Sequence, residues 1–203
     1  MNGRAHEVWH DPAVAVACKE AWRASGERAH RDNLGNLCRE HIQPPMTVLD
    51  AGCGTGLVFA QLVPSLIPAD AYTGIDIAGP MLEIARRDFP AGRFEHGDLY
   101  DLHFADGSFD AVVCFEVLGH LPDICGALAE MIRVARSVVL FTVWPADGGV
   151  AEEAEETGGR RALHRRFPED YVTAEISRAA PGLDLSVTVT GLGAYHGFAV
   201  VKP

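Results

Sequence analysis

Residues 48–56 read VLDAGCGTG, an apolar run that leads into three glycines at alternate positions. The apolar run predicts a β-strand, and the pattern of residues 57–66 predicts that an α-helix follows. Glycines at a strand-to-helix turn let the backbone come close to a ligand, and the first turn of the helix presents free N–H groups. The stretch therefore predicts a ligand site at the end of a strand.

The spacing of these glycines separates two kinds of ligand. A dinucleotide-binding turn has the pattern G-x-G-x-x-G, which Gly52 and Gly54 fit but Leu57 does not. The pattern is instead G-x-G-x-G, and Asp50 precedes it. An acid at this position repels a pyrophosphate and favours a cationic ligand.

Strand and helix patterns alternate along the chain around this turn. Short apolar runs predict strands at 46–51, 72–77, 93–96, 109–117 and 137–144. Strands that are apolar almost throughout, with helix-like segments between them, indicate a parallel sheet covered by helices on both faces. Two more strands, at 183–190 and 195–201, predict a terminal hairpin. The sequence therefore predicts an α/β fold.

The 203 residues predict one domain with a helical extension at its N-terminus. Residues 1–44 have an amphipathic helical pattern that Pro44 and Pro45 end, and they predict a helical cap. Residues 45–203 hold the α/β domain. Within it, residues 145–167 combine two glycine pairs, four glutamates, four arginines and a histidine, and they predict a loop, a lid or an insertion.

Charge and cysteine usage disfavour several classes of partner. The chain has 17 basic and 28 acidic side chains, and its net charge of −11 disfavours nucleic acid and anionic membrane surfaces. Five cysteines without C-x-x-C spacing predict neither a disulfide framework nor a zinc site. The first residues lack the apolar segment of a signal peptide, and no run approaches the ~20 apolar residues of a membrane span. We therefore expect a cytoplasmic protein, monomeric or homodimeric.

The glycine stretch resembles the first motif of the class I S-adenosylmethionine-dependent methyltransferases, and the resemblance extends over residues 45–203. It implies a three-layer α-β-α fold with N-terminal helices. The implied sheet is seven-stranded and mostly parallel, in the order 3-2-1-4-5-7-6, with strand 7 antiparallel. The implied cofactor is S-adenosyl-L-methionine, which leaves as S-adenosyl-L-homocysteine.

The same resemblance implies which residues hold the methyl donor. Asp76, in YTGIDIAGPML, matches the acid that binds both ribose hydroxyls, and Asp98, in FEHGDLYDL, matches the acid that accepts from the adenine amino group. Phe115 and Glu116, in FDAVVCFEVLGHLPD, match the end of the fourth strand, where the methionine portion passes. The full implied set is Asp50, Gly52, Cys53, Gly54, Gly56, Asp76, Ile77, Met81, Gly97, Asp98, Leu99, Phe115 and Glu116.

The three acids after the strands also have structural interpretations. Asp76 is suited to cap a helix, Asp98 to form a turn, and Glu116 to pair with an arginine. The nearby residues His96, Asp98, Asp101 and His103 resemble a metal-binding set in composition. Their spacing forms a ligand set only if the chain folds back, and Asp98 is already assigned to adenine, so no metal is predicted.

Two histidines are candidates for the catalytic base. Methyl transfer depends mainly on alignment, and an oxygen nucleophile usually needs a base as well. His120, in EVLGHLPD, follows the fourth strand, and His164, in RRALHRRF, lies in the predicted lid. Each has a structural alternative, since His120 can cap a helix and His164 can be a solvated charge. The arginines around His164 either clamp an anionic substrate or balance the preceding glutamates.

The pattern favours a small-molecule substrate. Residues 114–117, CFEV, lack the [DN]-P-P-[YF] motif of enzymes that methylate exocyclic amines of adenine or protein glutamine, and no extra recognition domain is present. An apolar pocket wall is available from Trp9, Trp22, Trp144, Phe167 and Tyr195. We expect methyl transfer to oxygen or nitrogen in bacterial specialised metabolism. A methyltransferase that modifies protein or RNA with a partner, and an inactive donor-binding regulatory subunit, remain alternatives.

Overall fold

A nine-stranded sheet lies between two layers of helices in the computed structural model, which describes residues 7–24, 28–63 and 65–203. For residues 22–24 and 28–31 the description covers the backbone alone. The three-layer α/β fold expected from the sequence is confirmed.

The helices are α1 (Pro12–Ala24), α2 (Arg28–His41), α3 (Leu57–Leu62), α4 (Gly79–Asp88), α5 (Ile124–Val134) and α6 (Glu169–Ala179). The strands are β1 (Val48–Ala51), β2 (Tyr72–Asp76), β3 (Arg93–His96), β4 (Phe109–Cys114), β5 (Ala135–Pro145), β6 (Ala151–Thr157), β7 (Arg160–Phe167), β8 (Ser186–Gly191) and β9 (His196–Val201). Two short 3-10 helices, Glu7–His10 and Leu118–His120, also contribute to the site.

The pairings of the main sheet give its strand order. β1 lies parallel between β2 and β4, β3 pairs with β2, and β5 pairs with β4. β9 runs antiparallel to β5, and β8 antiparallel to β9. When β8 and β9 are counted as the sixth and seventh strands, the order is 3-2-1-4-5-7-6 with the seventh antiparallel, as expected. The parallel strands therefore end at one edge of the sheet.

Alternate residues of the central strands enter opposite helical layers. Val112 and Cys114 of β4 pack in the same core as α5 and α6. Ala111 and Val113 pack on the other side, with α2 and α3. All four are fully buried, which explains why the sequence shows continuous apolar runs at these strands.

Residues 151–167 form an antiparallel hairpin of β6 and β7, where the sequence pattern predicted a loop or lid. β7 also lies parallel to the last two residues of β5. Glu152 lies opposite Arg165 in the hairpin. Glu156 lies opposite Arg161 in the same way, so opposite charges face each other across the strands. Two of the four glutamates therefore face arginines across the hairpin.

The two N-terminal helices pack at different places. Val14 and Ala15 of α1 pack against Ala78 and Met81 at the start of α4. Helix α2 packs into the core that contains α3. Residues 1–6 and 25–27 of the predicted helical cap lie outside the described residues. Among the helices of the described chain, none has both the length and the apolar character to cross a membrane.

Candidate active site

A cavity of about 390 Å³ opens at the carboxyl ends of β1, β2 and β4. One part of its lining comes from the glycine loop after β1 and from the segments that follow β2, β3 and β4. The rest comes from the 3-10 helix Glu7–His10, α1, the end of β5, β6 and the residue before β9. Open parallel sheets bind ligands where neighbouring strands lead off in opposite directions, as β2 and β4 do on either side of β1. The cavity lies where the sequence predicts a ligand site.

The glycine loop is held close to β2 and β4 by its backbone. Gly52 and Cys53 donate hydrogen bonds to the carbonyl oxygen of Ile75, at 2.9 and 2.8 Å. Gly52 has φ +85°, and a Cβ there would lie 2.5 Å from Cγ2 of Val117. Gly52, Cys53 and Gly54 all line the cavity. A side chain at position 52 is therefore excluded both by conformation and by space.

Gly56 does not line the cavity, although the family resemblance places it in the donor site. It begins α3 in the left-handed conformation, with φ +82°. A Cβ there would lie 2.9 Å from the ring of Phe89. The requirement for glycine at this position is therefore accounted for by the turn and by packing.

The Asp76 carboxylate is partly buried at the end of β2 and lines the cavity. One oxygen accepts a hydrogen bond from the Gly54 N–H and the other from the Ala78 N–H, both at 2.8 Å. Burial raises the pKa of Asp76, and these two backbone donors oppose the increase. Each oxygen keeps acceptor capacity, since a carboxylate offers about four lone-pair sites.

The segment after β3 forms the neighbouring wall. Gly97, Asp98 and Leu99 line the cavity, as do Ile77 and Met81 after β2. An oxygen of Asp98 accepts a hydrogen bond from the N–H of Tyr100 at 2.9 Å, which makes a turn. The carboxylate is exposed, so it forms the turn and still has acceptor sites for a ligand.

Glu116 follows β4 in an unusual backbone conformation. Its φ is +61°, the sole positive value of a residue other than glycine in the described ranges. Its N–H donates to Oγ1 of the buried Thr142 at 2.8 Å. Both Glu116 and the adjacent Phe115 line the cavity. Strained backbone held by neighbouring structure is concentrated at functional sites, which supports a role for this turn.

Asp50 lies outside the cavity, whereas the resemblance places it beside the donor. It is on β1, which is buried along its whole length, and it accepts a hydrogen bond from the hydroxyl of Tyr72 on β2. Burial raises the pKa of Asp50 to about 7, and the Tyr72 hydrogen bond opposes that increase. Its structural role is to pair with Tyr72 inside the sheet.

His120, in the segment that follows β4, lines the cavity. Its Nδ1 lies 3.1 Å from the carbonyl oxygen of Leu163 on β7. Burial lowers the pKa of His120, which favours the neutral ring. A neutral ring that donates from Nδ1 carries its acceptor lone pair on Nε2. The geometry therefore leaves His120 with one nitrogen suited to accept a proton.

His164 does not line the cavity. It is buried on β7, and its ring is 4.9 Å from that of Trp144 and 6.2 Å from that of His120. Its Nε2 lies 3.4 Å from a carboxylate oxygen of Glu153. Trp144 and His120, its two ring neighbours, line the cavity in its place.

Aromatic side chains form much of the wall around His120. The rings of Trp9 and Trp144 lie 4.6 and 5.3 Å from its ring, and Tyr195 is 5.3 Å from Trp144. All three line the cavity, as the sequence predicted. Phe167 is buried elsewhere, in the core with α5. The side chain of Trp22 lies outside the described residues.

Several lining residues were not anticipated from the sequence. They include Cys18, Ala21, Thr55, Glu155 and Thr157. Thr55 is buried, and its hydroxyl has no hydrogen-bond partner within the described chain. The family motif includes this position only as a spacer, and Glu155 lies in a run that resembled a loop. No group of three or more potential metal ligands occurs in the residues that the structure describes.

Comparison with known proteins places the chain among methyltransferases. A family model described as "Methyltransferase domain" matches residues 48–137. A dTDP-3-amino-3,6-dideoxy-alpha-D-glucopyranose N,N-dimethyltransferase from Streptomyces fradiae is 30% identical over 182 residues, which cover 82% of this chain and 70% of the relative. O-methyltransferase cnsE from Penicillium expansum is 37% identical over 137 residues, but the chain spans only 45% of that relative's length.

Solved structures share the fold. DesVI from Streptomyces venezuelae has a TM-score of 0.68 at 19% identity, covering 93% of this chain and 98% of that one. CalS10, an amino pentose methyltransferase from Micromonospora echinaspora solved with S-adenosylmethionine bound, has a TM-score of 0.66 at 21% identity, covering 92% and 96%.

Proposed function

Since this chain belongs to the class I S-adenosylmethionine-dependent methyltransferases, we propose that it methylates an oxygen or nitrogen atom of a small molecule. The proposal rests on the cavity, whose lining combines the residues proposed to hold the donor with a candidate base, His120. Relatives include an O-methyltransferase and an N,N-dimethyltransferase of a sugar, which supports both acceptor atoms. Specialised metabolism is the proposed setting.

The lining residues of the glycine loop and of the turns directly after β2, β3 and β4, together called the donor wall, fit the methyl donor. Asp76 is proposed to bind the ribose hydroxyls and Asp98 the adenine amino group, with Ile77 and Met81 against the adenine ring. A Cβ at Gly54 would meet nothing within 4 Å, so this glycine leaves open space in the loop. The buried Thr55 hydroxyl supplies a polar group that lacks a partner in the described chain. A ligand with hydroxyl, amino and apolar parts matches this wall.

When bound, S-adenosylmethionine would supply a methyl group on a cationic sulfur. The acceptor lone pair would form the new bond to carbon as the carbon–sulfur bond breaks, and that bond's electron pair would pass to sulfur. The protein's own contribution is alignment, removal of a proton and exclusion of water. His120 is proposed to take the proton of the acceptor on Nε2. The Leu163 carbonyl fixes the ring orientation through Nδ1.

A small acceptor is favoured because several further segments complete the lining of the cavity. Trp9 and Cys18 come from the N-terminal helices, Trp144 from β5, and Glu155 from the hairpin. The hairpin tip is fixed to the start of α1 by an ion pair of 2.8 Å between Arg160 and Asp11. These segments cover the site where a macromolecular substrate would need an open groove.

Calorimetric titration with S-adenosylmethionine and S-adenosylhomocysteine tests the cofactor assignment. Micromolar binding of both is expected, and it would be followed by a screen of small amines, alcohols and phenols for S-adenosylhomocysteine release. Absence of binding for both compounds would overturn the proposal. Binding without turnover on any small acceptor would favour the regulatory or macromolecular alternatives.

A further inference from the structure

The charged side chains that line the cavity are all acidic in the part of the chain that the structure describes. They are Asp76, Asp98, Glu116 and Glu155. Asp76, Asp98 and Glu116 belong to the proposed donor wall. Glu155 lies on β6, which also contributes Thr157 to the lining. An anionic acceptor group would meet repulsion from all four carboxylates.

The arginines of the hairpin do not offset this charge, because they are engaged elsewhere. Arg165 pairs with Glu152 at 2.8 Å and also donates to a backbone carbonyl. Arg166 pairs with Glu153 at 3.2 Å and donates to the carbonyl oxygen of Pro145. None of the four hairpin arginines lines the cavity. The sequence alternative in which they clamp an anionic substrate is therefore not favoured.

Glu155 differs from the other glutamates of β6 in its surroundings. Across the hairpin it faces Ala162, whereas Glu152 and Glu156 face arginines. Its carboxylate lies 3.8 Å from Nδ1 of His164. The side chain is 43% exposed and lines the cavity, so its carboxylate can reach a ligand without giving up an arginine partner.

Aromatic rings contribute to the lining of the same cavity. Trp9, His120 and Trp144 lie in successive ring contacts with centroid separations of 4.6 and 5.3 Å. Aromatic faces attract cations, and the attraction increases as water is removed from the cation. A carboxylate beside aromatic rings is a site for an alkylammonium group.

We propose that the acceptor is an aliphatic amine that binds as an ammonium ion between Glu155 and the aromatic wall, an inference that rests on the proposed methyl transfer in this cavity. The ammonium gives one proton to Nε2 of His120, which leaves the nitrogen with the lone pair that accepts the methyl group. The new imidazolium is stabilised by the Glu155 carboxylate and then returns its proton to solvent. The methylated amine leaves as an ammonium ion, so charge and protons balance.

The test compares two probes of similar shape on protein saturated with S-adenosylhomocysteine. Cyclohexylamine, protonated at pH 7, and neutral cyclohexanol are titrated by calorimetry. We expect tighter binding of the amine, and Glu155→Gln should weaken amine binding by about fivefold, the scale of a partly exposed ion pair. Cyclohexanol binding should be unchanged in that variant.

Glu156→Gln is the matched control, because it removes the same charge from the next residue of β6, which is exposed and does not line the cavity. It should leave both affinities unchanged. Equal binding of the two probes, no detectable binding of the amine, or equal effects of the two variants would overturn the amine assignment. Failure of S-adenosylhomocysteine to bind would instead overturn the proposed function, so the two failures are distinguishable.

Discussion

The carboxylate of Asp76 accepts a 2.8 Å hydrogen bond from the N–H of Gly54, which joins the end of β2 to the glycine loop after β1. Its second oxygen accepts from the N–H of Ala78 just before α4. One side chain therefore fixes the shape of the loop and the start of the helix, and both bound a single wall of the cavity.

Asp76→Ala should weaken S-adenosylhomocysteine binding by about 1.5–3 kcal/mol, the scale of a lost charged hydrogen bond. The loss has two sources, the contact with the ribose and the order of the Gly54 loop. Calorimetry measures the affinity. Asp147→Ala removes an exposed acid far along the chain and is the control. An unchanged affinity in the Asp76 variant would rule out the ribose assignment.

Asp50→Asn should stabilise the protein at neutral and alkaline pH. The folded-state pKa of Asp50 is raised from 3.8 to about 7, so the folded state binds the proton more tightly than the unfolded state. The contribution of the wild-type Asp50 carboxyl to the free energy of unfolding is present at low pH and is lost as the pH rises from about 4 to 7. Asparagine does not ionise and keeps an oxygen that accepts from Tyr72.

The stabilisation by Asp50→Asn is measured as the difference in free energy of unfolding from denaturant curves between pH 4 and 8. It should be small near pH 4 and largest at pH 7 and above. Donor affinity should be retained, since Asp50 lies outside the cavity. A large loss of affinity would show that Asp50 contacts the donor.

His120→Ala should reduce kcat by ~10²-fold or more with any accepted substrate, the scale of a lost general base. S-adenosylhomocysteine affinity should change little. Burial lowers the wild-type pKa of His120 from its ordinary 6.5, so its neutral form should persist into mildly acidic solution. His103→Ala, at a half-exposed position outside the cavity, is the control. A near-normal rate in the His120 variant would assign this residue a structural role.

Gly52→Ala should destabilise the protein by roughly 1–3 kcal/mol, since it combines a strained backbone with overpacking. The strain comes from φ +85° and the overpacking from Val117, whose Cγ2 would lie 2.5 Å from the new Cβ. Adding Val117→Ala should restore only the part of the stability that is lost to overpacking. Gly149→Ala, where a Cβ meets nothing within 4 Å, should be nearly neutral. Thermal unfolding of the four proteins measures these effects, and equal melting temperatures would contradict the account.

The donor wall could be anticipated because its residues follow strands. The carboxyl ends of parallel strands meet at one edge, so the ends of the predicted strands bring Gly52, Asp76, Asp98 and Glu116 together. All four line the cavity. The side-chain direction of Asp50 could not be anticipated, because β1 is buried on both faces and carries no alternating pattern. Tyr72 on the adjacent strand determines where that carboxylate lies.

The lining residues outside the donor wall were predictable only in part. Trp9, Trp144 and Tyr195 were candidates because large aromatic residues outside the core pattern favour a pocket. Glu155 was missed because its strand carries charges on both faces, and strand prediction depends on apolar alternation. His164 was expected in a loop or lid for the same reason, whereas it lies on β7. The register of β6 with β7 decides which charged side chains face the cavity, and register is a tertiary property.

The hairpin enters the chain between β5 and α6, and the seven strands of the main sheet pair without it. Evolution can therefore replace or reshape this segment while the donor wall stays intact. With the acceptor site proposed above, an exchange of Glu155 and Thr157 is expected to change which acceptor binds and to leave donor binding intact. The same division offers an engineer a route to new acceptors, in which libraries are confined to β6 and cofactor binding serves as the test that the scaffold has survived.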